Sequence, residues 1–144
     1  MAPEDVARRS AAAMLGADAA SAAAGVELVE VSPGHARASM TVTPSMLNGH
    51  DIAHGAFVFL LADTTFAVAC NSYGERTVAS GCEIAYLAPA RSGDVLVAEA
   101  VERVRVGRAG LYDVSVRRAN GTPVAELRGH SRTIGGSLVE ETDT

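Results

Sequence analysis

From Ala56 to Cys70 the chain is apolar on nearly every side, with Asp63 as its only charge. A run of that length with no polar face predicts a helix buried all round. Upstream, residues 25–31 and 35–43 alternate with a period of two, in Val26, Leu28 and then Ala36, Ala38, Met40 and Val42, around the turn residues Ser32-Pro33-Gly34. That pattern predicts a β-hairpin. Residues 44–53 carry Pro, Asn and Gly and read as a loop, so the apolar helix begins close to His54 and ends near residues 71–74. Four strand-like runs follow, bounded by turns at 89–93, 107–110 and Asn120-Gly121. In the first, Cys82, Ile84, Tyr86 and Ala88 share a face; in the third, Tyr112, Val114 and Val116 oppose Asp113, Ser115 and Arg117. The second and fourth, 94–106 and 123–134, alternate less cleanly. Residues 3–23, rich in Ala behind Pro3, predict one N-terminal helix that packs as a cover. Six strands, a central helix and a covering helix make an α+β fold, in which a curved antiparallel sheet wraps the apolar helix.

The remaining properties narrow the function classes. The 144 residues suit one domain, 1–136, with an acidic tail expected over 137–144. A net charge of −5 without a basic stripe argues against nucleic acid as a partner. Cys70 and Cys82 lack any paired spacing and read as free buried thiols, which suits the cytoplasm. Arg8-Arg9 precedes an Ala-rich stretch, but Glu4, Asp5 and Asp18 argue against an export signal. The only run of near-membrane length, 52–71, has Asp63 near its centre, which argues against a membrane span.

The candidate chemistry lies around the central helix. Asn48, His54, Gly55 and Asp63 fall within sixteen residues, in the order loop, helix start, helix start, mid-helix. A helix N-terminus offers unpaired N–H groups, and Gly55 lets an oxygen approach its backbone N–H closely. Asp63 needs a partner or a chemical role, since burying an unpaired carboxylate is costly. Gly55 and Asp63 are eight residues apart, about 12 Å along one helix. Both can serve one reaction only if a second subunit brings its own Asp63 beside the first subunit's Gly55.

Asn48, His54-Gly55, Leu61-Ala62-Asp63, Asn71-Ser72 and Val78-Ala79-Ser80-Gly81, continued by Gly93-Asp94, Gly110-Leu111-Tyr112-Asp113, Arg128-Gly129 and Ile134-Gly135-Gly136, resemble the hotdog-fold acyl-CoA thioesterases of the phenylacetic-acid pathway, the PaaI type. The resemblance spans about 45–136. It implies hydrolysis of an acyl-CoA, such as phenylacetyl-CoA or hydroxyphenylacetyl-CoA, to the acid and free coenzyme A. By that resemblance Gly55 N–H polarises the carbonyl, Asp63 activates water or attacks directly, and Asn48 assists. His54 shapes the helix start, while Thr64 and Ser80 lie near the substrate. The resemblance further implies a homodimer with composite sites, assembled into a homotetramer, and no metal or redox cofactor. Ala56 departs from the second glycine usual in the family.

Other readings of the same residues are available. Asp63 can cap a second helix starting at Thr64. His50, Asp51 and His54 suggest a metal site, but the glutamate of the zinc protease motif is missing and Gly49 favours a loop. Arg91, Arg108, Arg117 and Arg118 sit at strand ends or turns where phosphates of coenzyme A could be met; Arg91 and Arg108 are taken as substrate-binding candidates. Phe57, Phe66 and Tyr73 are apolar payload first and acyl-pocket walls second. The alternatives to a thioesterase are a hotdog hydratase or dehydratase, with His54 as its base, and a non-catalytic acyl-CoA binding module.

Overall fold

The structure is a computed structural model that describes residues 1–139. The apolar run forms α3, Gly55–Cys70, unbroken through Asp63, so no second helix starts at Thr64. Six antiparallel strands curve around it: β1 (Glu27–Ser32), β2 (His35–Thr41), β3 (Glu75–Tyr86), β4 (Val95–Val106), β5 (Ala109–Arg118) and β6 (Pro123–Ser137). Their order is β1-β2-β4-β5-β6-β3, which leaves β1 and β3 as the edges. This is the hotdog arrangement, and α3 packs against all six strands.

Close approach of helix and sheet depends on small residues at the contact. Ala36 and Ala38 of β2 and Ala98 and Ala100 of β4 are buried under α3, between larger Met40, Leu96, Val114 and Leu127. Phe66 of α3 meets Tyr112 of β5 edge to face, with ring centroids 5.5 Å apart. Its ring also lies over Gly129 of β6, where an added Cβ would come within 2.8 Å of it. Both ends of α3 are tied. At the C-terminal end Asn71 donates from its side chain to Ala67 O and Thr77 O and accepts from Thr77 N–H. Ser72 Oγ donates to Ala69 O and accepts from Gly34 N–H in the β1–β2 turn.

The N-terminal cover differs from the expected single helix. It is α1, Pro3–Gly16, and a short α2, Ala19–Ala23, with an elbow at Ala17 and Asp18. The break has a local cause: Asp18 accepts from Ser21 N–H and so starts a new helix rather than continuing the old one. The turn expected over 107–110 is tighter, since Ala109 and Gly110 already pair in β5. Of the expected tail, Ser137 closes β6 and Leu138 N–H donates to Gly74 O, while 140–144 lie outside the described residues. Among the described residues no helix is long and apolar enough to cross a membrane.

Because Gly129 is the gap into which Phe66 fits, Gly129→Ala should destabilise the fold by about 1–3 kcal/mol through overpacking. Urea unfolding measures it, and a midpoint equal to that of the unaltered protein would mean that helix and sheet can separate freely at this point.

Candidate active site

Residues 47–54 are braced from two sides. Leu47 bridges to Ala53, Asn48 N–H donates to Ile52 O, and Asp51 takes a left-handed turn at φ 59°. Ala53 N–H then donates to Ala90 O, and His54 N–H to Met46 O, at 2.7 and 2.8 Å. The start of α3 is thereby anchored to the chain on either side of the cleft that it lines.

His54 is the N-cap. Its Nδ1 accepts from Ala56 N–H at 3.0 Å, which puts the ring proton on Nε2. Phe57 N–H donates to His54 O. Gly55 N–H has no acceptor among the described residues, so the first donor of the helix is the one left open. Asn48 spends its Oδ1 on His50 N–H, leaving its amide N–H groups unspent. Asn48 and Gly55 line a cleft of about 470 Å³ with Ile52, Val58, Tyr86 and Leu87.

Tyr86 is a member of this cleft that the sequence reading placed only on a covered strand face. Its hydroxyl donates to Gly55 O at 3.0 Å, and its ring lies so near that a Cβ on residue 55 would be 3.1 Å away. Glycine at 55 therefore lets the tyrosine ring sit against the helix start without displacement. Its position at the last residue of β3, just before a Pro-containing turn, was the available signal.

Asp63 lies two turns further along α3, half-buried, with no hydrogen bond to its carboxylate. Burial pushes its pKa up from the ordinary aspartate value, and the charge of Asp18 in the α1–α2 elbow adds to the rise. Asp18 was legible in the sequence only as an interruption; its Asp-x-x-Ser spacing is a cap signal. Cys70, on the same helix, is pushed up to about 12 by burial, and Cys82 on β3 is also raised, so both stay protonated thiols.

The other expected site residues scatter. Thr64 is buried, and its hydroxyl is engaged with Ser21 Oγ rather than with the cleft. Ser80 sits at a bulge on the β3 edge and donates to His130 O. Arg91 lies beside Ala90 at the Gly55 end of the fold, its backbone N–H held by Asp94. Arg108 stands at the β4–β5 turn, at the other end of a twelve-residue strand, roughly 35–40 Å of chain away. The two arginines therefore stand at opposite ends of β4. Arg117 donates to Gly121 O and Arg118 to Pro89 O. Phe57 is half-buried at the helix start, Phe66 belongs to the core, and Tyr73 donates to Glu102 beneath Arg105.

His50 and Asp51 are exposed in the loop and form no cluster with His54. The one metal-like grouping among the described residues is Glu30, His35 and Glu99, on the outer face of the sheet. The Arg37 guanidinium lies 2.7 Å from Glu99 and 3.5 Å from Glu30, and so already supplies the cation.

The Thioesterase superfamily model matches residues 50–125, the span that carries α3 and most of its cleft. The acyl-coenzyme A thioesterase PaaI of Escherichia coli is 43% identical over 133 residues, 92% of this chain and 95% of that protein. The structure of the E. coli PaaI protein from the phenylacetic acid degradation operon superposes with a TM-score of 0.92 at 42% identity, covering 94% of this chain and 99% of the other. A mutant of the phenylacetic acid degradation protein PaaI from Thermus thermophilus superposes at 0.78 with 33% identity, covering 81% of this chain and 100% of that one. The fold, the matched span and these identities agree: the chain belongs to the thioesterase superfamily, as an enzyme of its PaaI type.

Proposed function

We propose that this protein hydrolyses an aromatic acyl-CoA, phenylacetyl-CoA or hydroxyphenylacetyl-CoA, to the carboxylic acid and free coenzyme A. The observation that carries the reading is the open Gly55 N–H at the start of α3, in one cleft with Asn48, on the same helix as the unpartnered Asp63 carboxylate. The thioester carbonyl oxygen accepts from Gly55 N–H, where the positive end of the helix dipole adds to the attraction. Asp63 takes a proton from water as the water oxygen attacks the carbonyl carbon. Charge gathers on the oxygen held by Gly55, the C–S bond breaks, and the thiolate leaves and takes up a proton. Asn48 donates its free amide N–H to the substrate. Water is the only co-reactant, so the step balances without a metal or redox cofactor.

The two groups lie about 12 Å apart on one helix, so the working site combines Gly55 of one subunit with Asp63 of a second. The β3 edge supports such a pairing: it is twelve residues long, unpaired on its outer side, and exposes Val78 and Tyr86. Two copies joined there by a two-fold axis would set their α3 helices antiparallel, and also bring one subunit's Arg108 end toward the other's Arg91 end. A homotetramer follows if two such dimers stack. The protonated free thiols suit a cytoplasmic location. A hydratase would need His54 as its base, but that ring spends its Nδ1 lone pair on the helix cap and offers only Nε2–H outward.

Asp63→Asn should abolish thiol release from phenylacetyl-CoA, in a Tyr86-intact and still oligomeric protein, while leaving binding of the ester measurable. Turnover by that variant would remove Asp63 from the mechanism, and thiol release from no ester by the unaltered enzyme would leave only the binding-module reading. The same substitution should raise Tm at neutral pH. A carboxyl whose pKa is raised in the fold binds protons more tightly there, so the charged form costs stability above that raised value. That cost shrinks as pH falls through the raised value and is gone well below the ordinary aspartate pKa of about 3.9, where the group is protonated in both states. Thermal melts at both pH values check the sign.

Tyr86→Leu should lower kcat/KM for phenylacetyl-CoA roughly two- to tenfold, the scale of one lost aromatic pair. Straight-chain esters should change less, and equal losses across both ester classes would reduce Tyr86 to a support for Gly55.

A further inference from the structure

Asp63 is not the only carboxylate in its neighbourhood. Asp18, in the elbow between α1 and α2, accepts with both oxygens from one residue: Oδ1 from Ser21 N–H at 2.9 Å and Oδ2 from Ser21 Oγ at 2.6 Å. Ser21 has one hydroxyl proton and gives it to Asp18, so the 2.8 Å contact between Ser21 Oγ and Thr64 Oγ1 is a donation from Thr64. Ser21 and Thr64 are both buried, which makes each bond costly to lose. The chain Asp18–Ser21–Thr64 thus ties the cover to the residue next to Asp63, and fixes a second carboxylate where its charge reaches the first.

We propose that Asp18 is a positioning residue for Asp63: the cover holds a fixed negative charge against the site helix, and that charge sets where on the pH scale Asp63 becomes an active base. The proposal rests on the reading of Asp63 as the group that takes the proton from water. A like charge nearby makes a carboxylate hold its proton more tightly, and therefore makes it a stronger base once ionised. The geometry is suited to this: Asp18 stands two hydrogen bonds from Thr64, the residue next to Asp63, and is held there by Ser21 without hydrogen-bonding to Asp63 itself. The other titratable groups that feel Asp63 are Cys82 on β3 and Cys70 on α3 itself, and both are neutral thiols at working pH. Among the described residues no cation offsets the pair.

The test uses Asp18→Asn and Ser21→Ala in the assembled, full-length enzyme. Asn is as good an N-cap as Asp: its Oδ1 still accepts from Ser21 N–H and its Nδ2 can donate to Ser21 Oγ, so α2 is retained while the charge is removed. Ser21→Ala keeps the charge and the backbone cap bond but cuts the link to Thr64. The pH profile of kcat is recorded for both, with the Asp63 side-chain carboxyl followed in parallel by carbon NMR titration, which needs no turnover. At an acidic pH where the unaltered enzyme keeps a tenth of its plateau rate, Asp18→Asn should keep about three times as much, because the acid limb moves to lower pH. Its NMR titration should move the same way, and Ser21→Ala should stay with the unaltered enzyme in both. Superimposable profiles and titrations for Asp18→Asn and the unaltered protein would overturn the proposal. So would an equal displacement by Ser21→Ala, which would assign the effect to a loosened cover. If the NMR titration moves with Asp18→Asn but kcat has no acid limb at all, Asp63 is not the base, and the proposed role in catalysis fails with that reading.

Discussion

A helix with no polar face has nowhere to go but inside, and the rest of this fold follows from enclosing α3. One flat layer would cover only one side of it, so the sheet curves until strands at the two edges and at the centre all touch the helix. The curve in turn needs side chains small enough to let the helix sink, which is where Ala36, Ala38, Ala98, Ala100 and Gly129 stand. Once buried, α3 has little freedom to slide, because Asn71 and Ser72 tie one end to β3 and the β1–β2 turn while Ala53 and His54 tie the other. The position of Gly55 and Asp63 is a consequence of that packing.

Burial also sets the chemistry of the helix. The same desolvation that stabilises Leu61, Phe66 and Val68 works against a charge at Asp63, and its carboxylate has no donor to compensate it. At the N-terminus the balance is reversed, since an open N–H and the helix dipole favour an incoming oxygen. One helix therefore carries an open donor at its start and, two turns away, a carboxylate held in a costly state. In the proposed reaction, the stability given up at Asp63 leaves a proton acceptor there.

Legibility in the sequence followed the strength of the local pattern. The apolar run, the Ser32-Pro33-Gly34 hairpin and the Asn120-Gly121 turn were readable because periodicity or turn chemistry acts over a few residues. The split in the cover was not read, since the high helix propensity of an Ala-rich stretch concealed one aspartate cap at Asp18. The beginning of β3 was equally faint: Val78, Ala79 and Ser80 are all exposed, and an uncovered edge has no alternation to show. Around the candidate site, Asn48, His54, Gly55 and Asp63 lie close in sequence and were readable as candidates. Tyr86 and Asp18 reach it across the fold, from β3 and from the cover, and no spacing encodes such contacts. Arg91 and Arg108 looked equivalent as turn arginines, although β4 separates them by its whole length.

Ala56 shows how local geometry decides what a departure from the family pattern means. A second glycine at that position would matter most if it freed another backbone N–H for the ligand. Here the Ala56 N–H is already taken by His54 Nδ1, and its methyl is exposed at the surface of the helix start rather than set into the core. The number of open backbone donors is then one, with or without the glycine, as long as His54 caps the helix. The remaining attraction for an oxyanion has to come from the helix dipole and from the free amide of Asn48. The methyl acts instead on whatever packs over the outside of the helix start, which in a composite site includes the second subunit. In the proposed reaction, what Ala56 can alter is therefore the fit around the acyl group, while the polarisation of its carbonyl is left to Gly55.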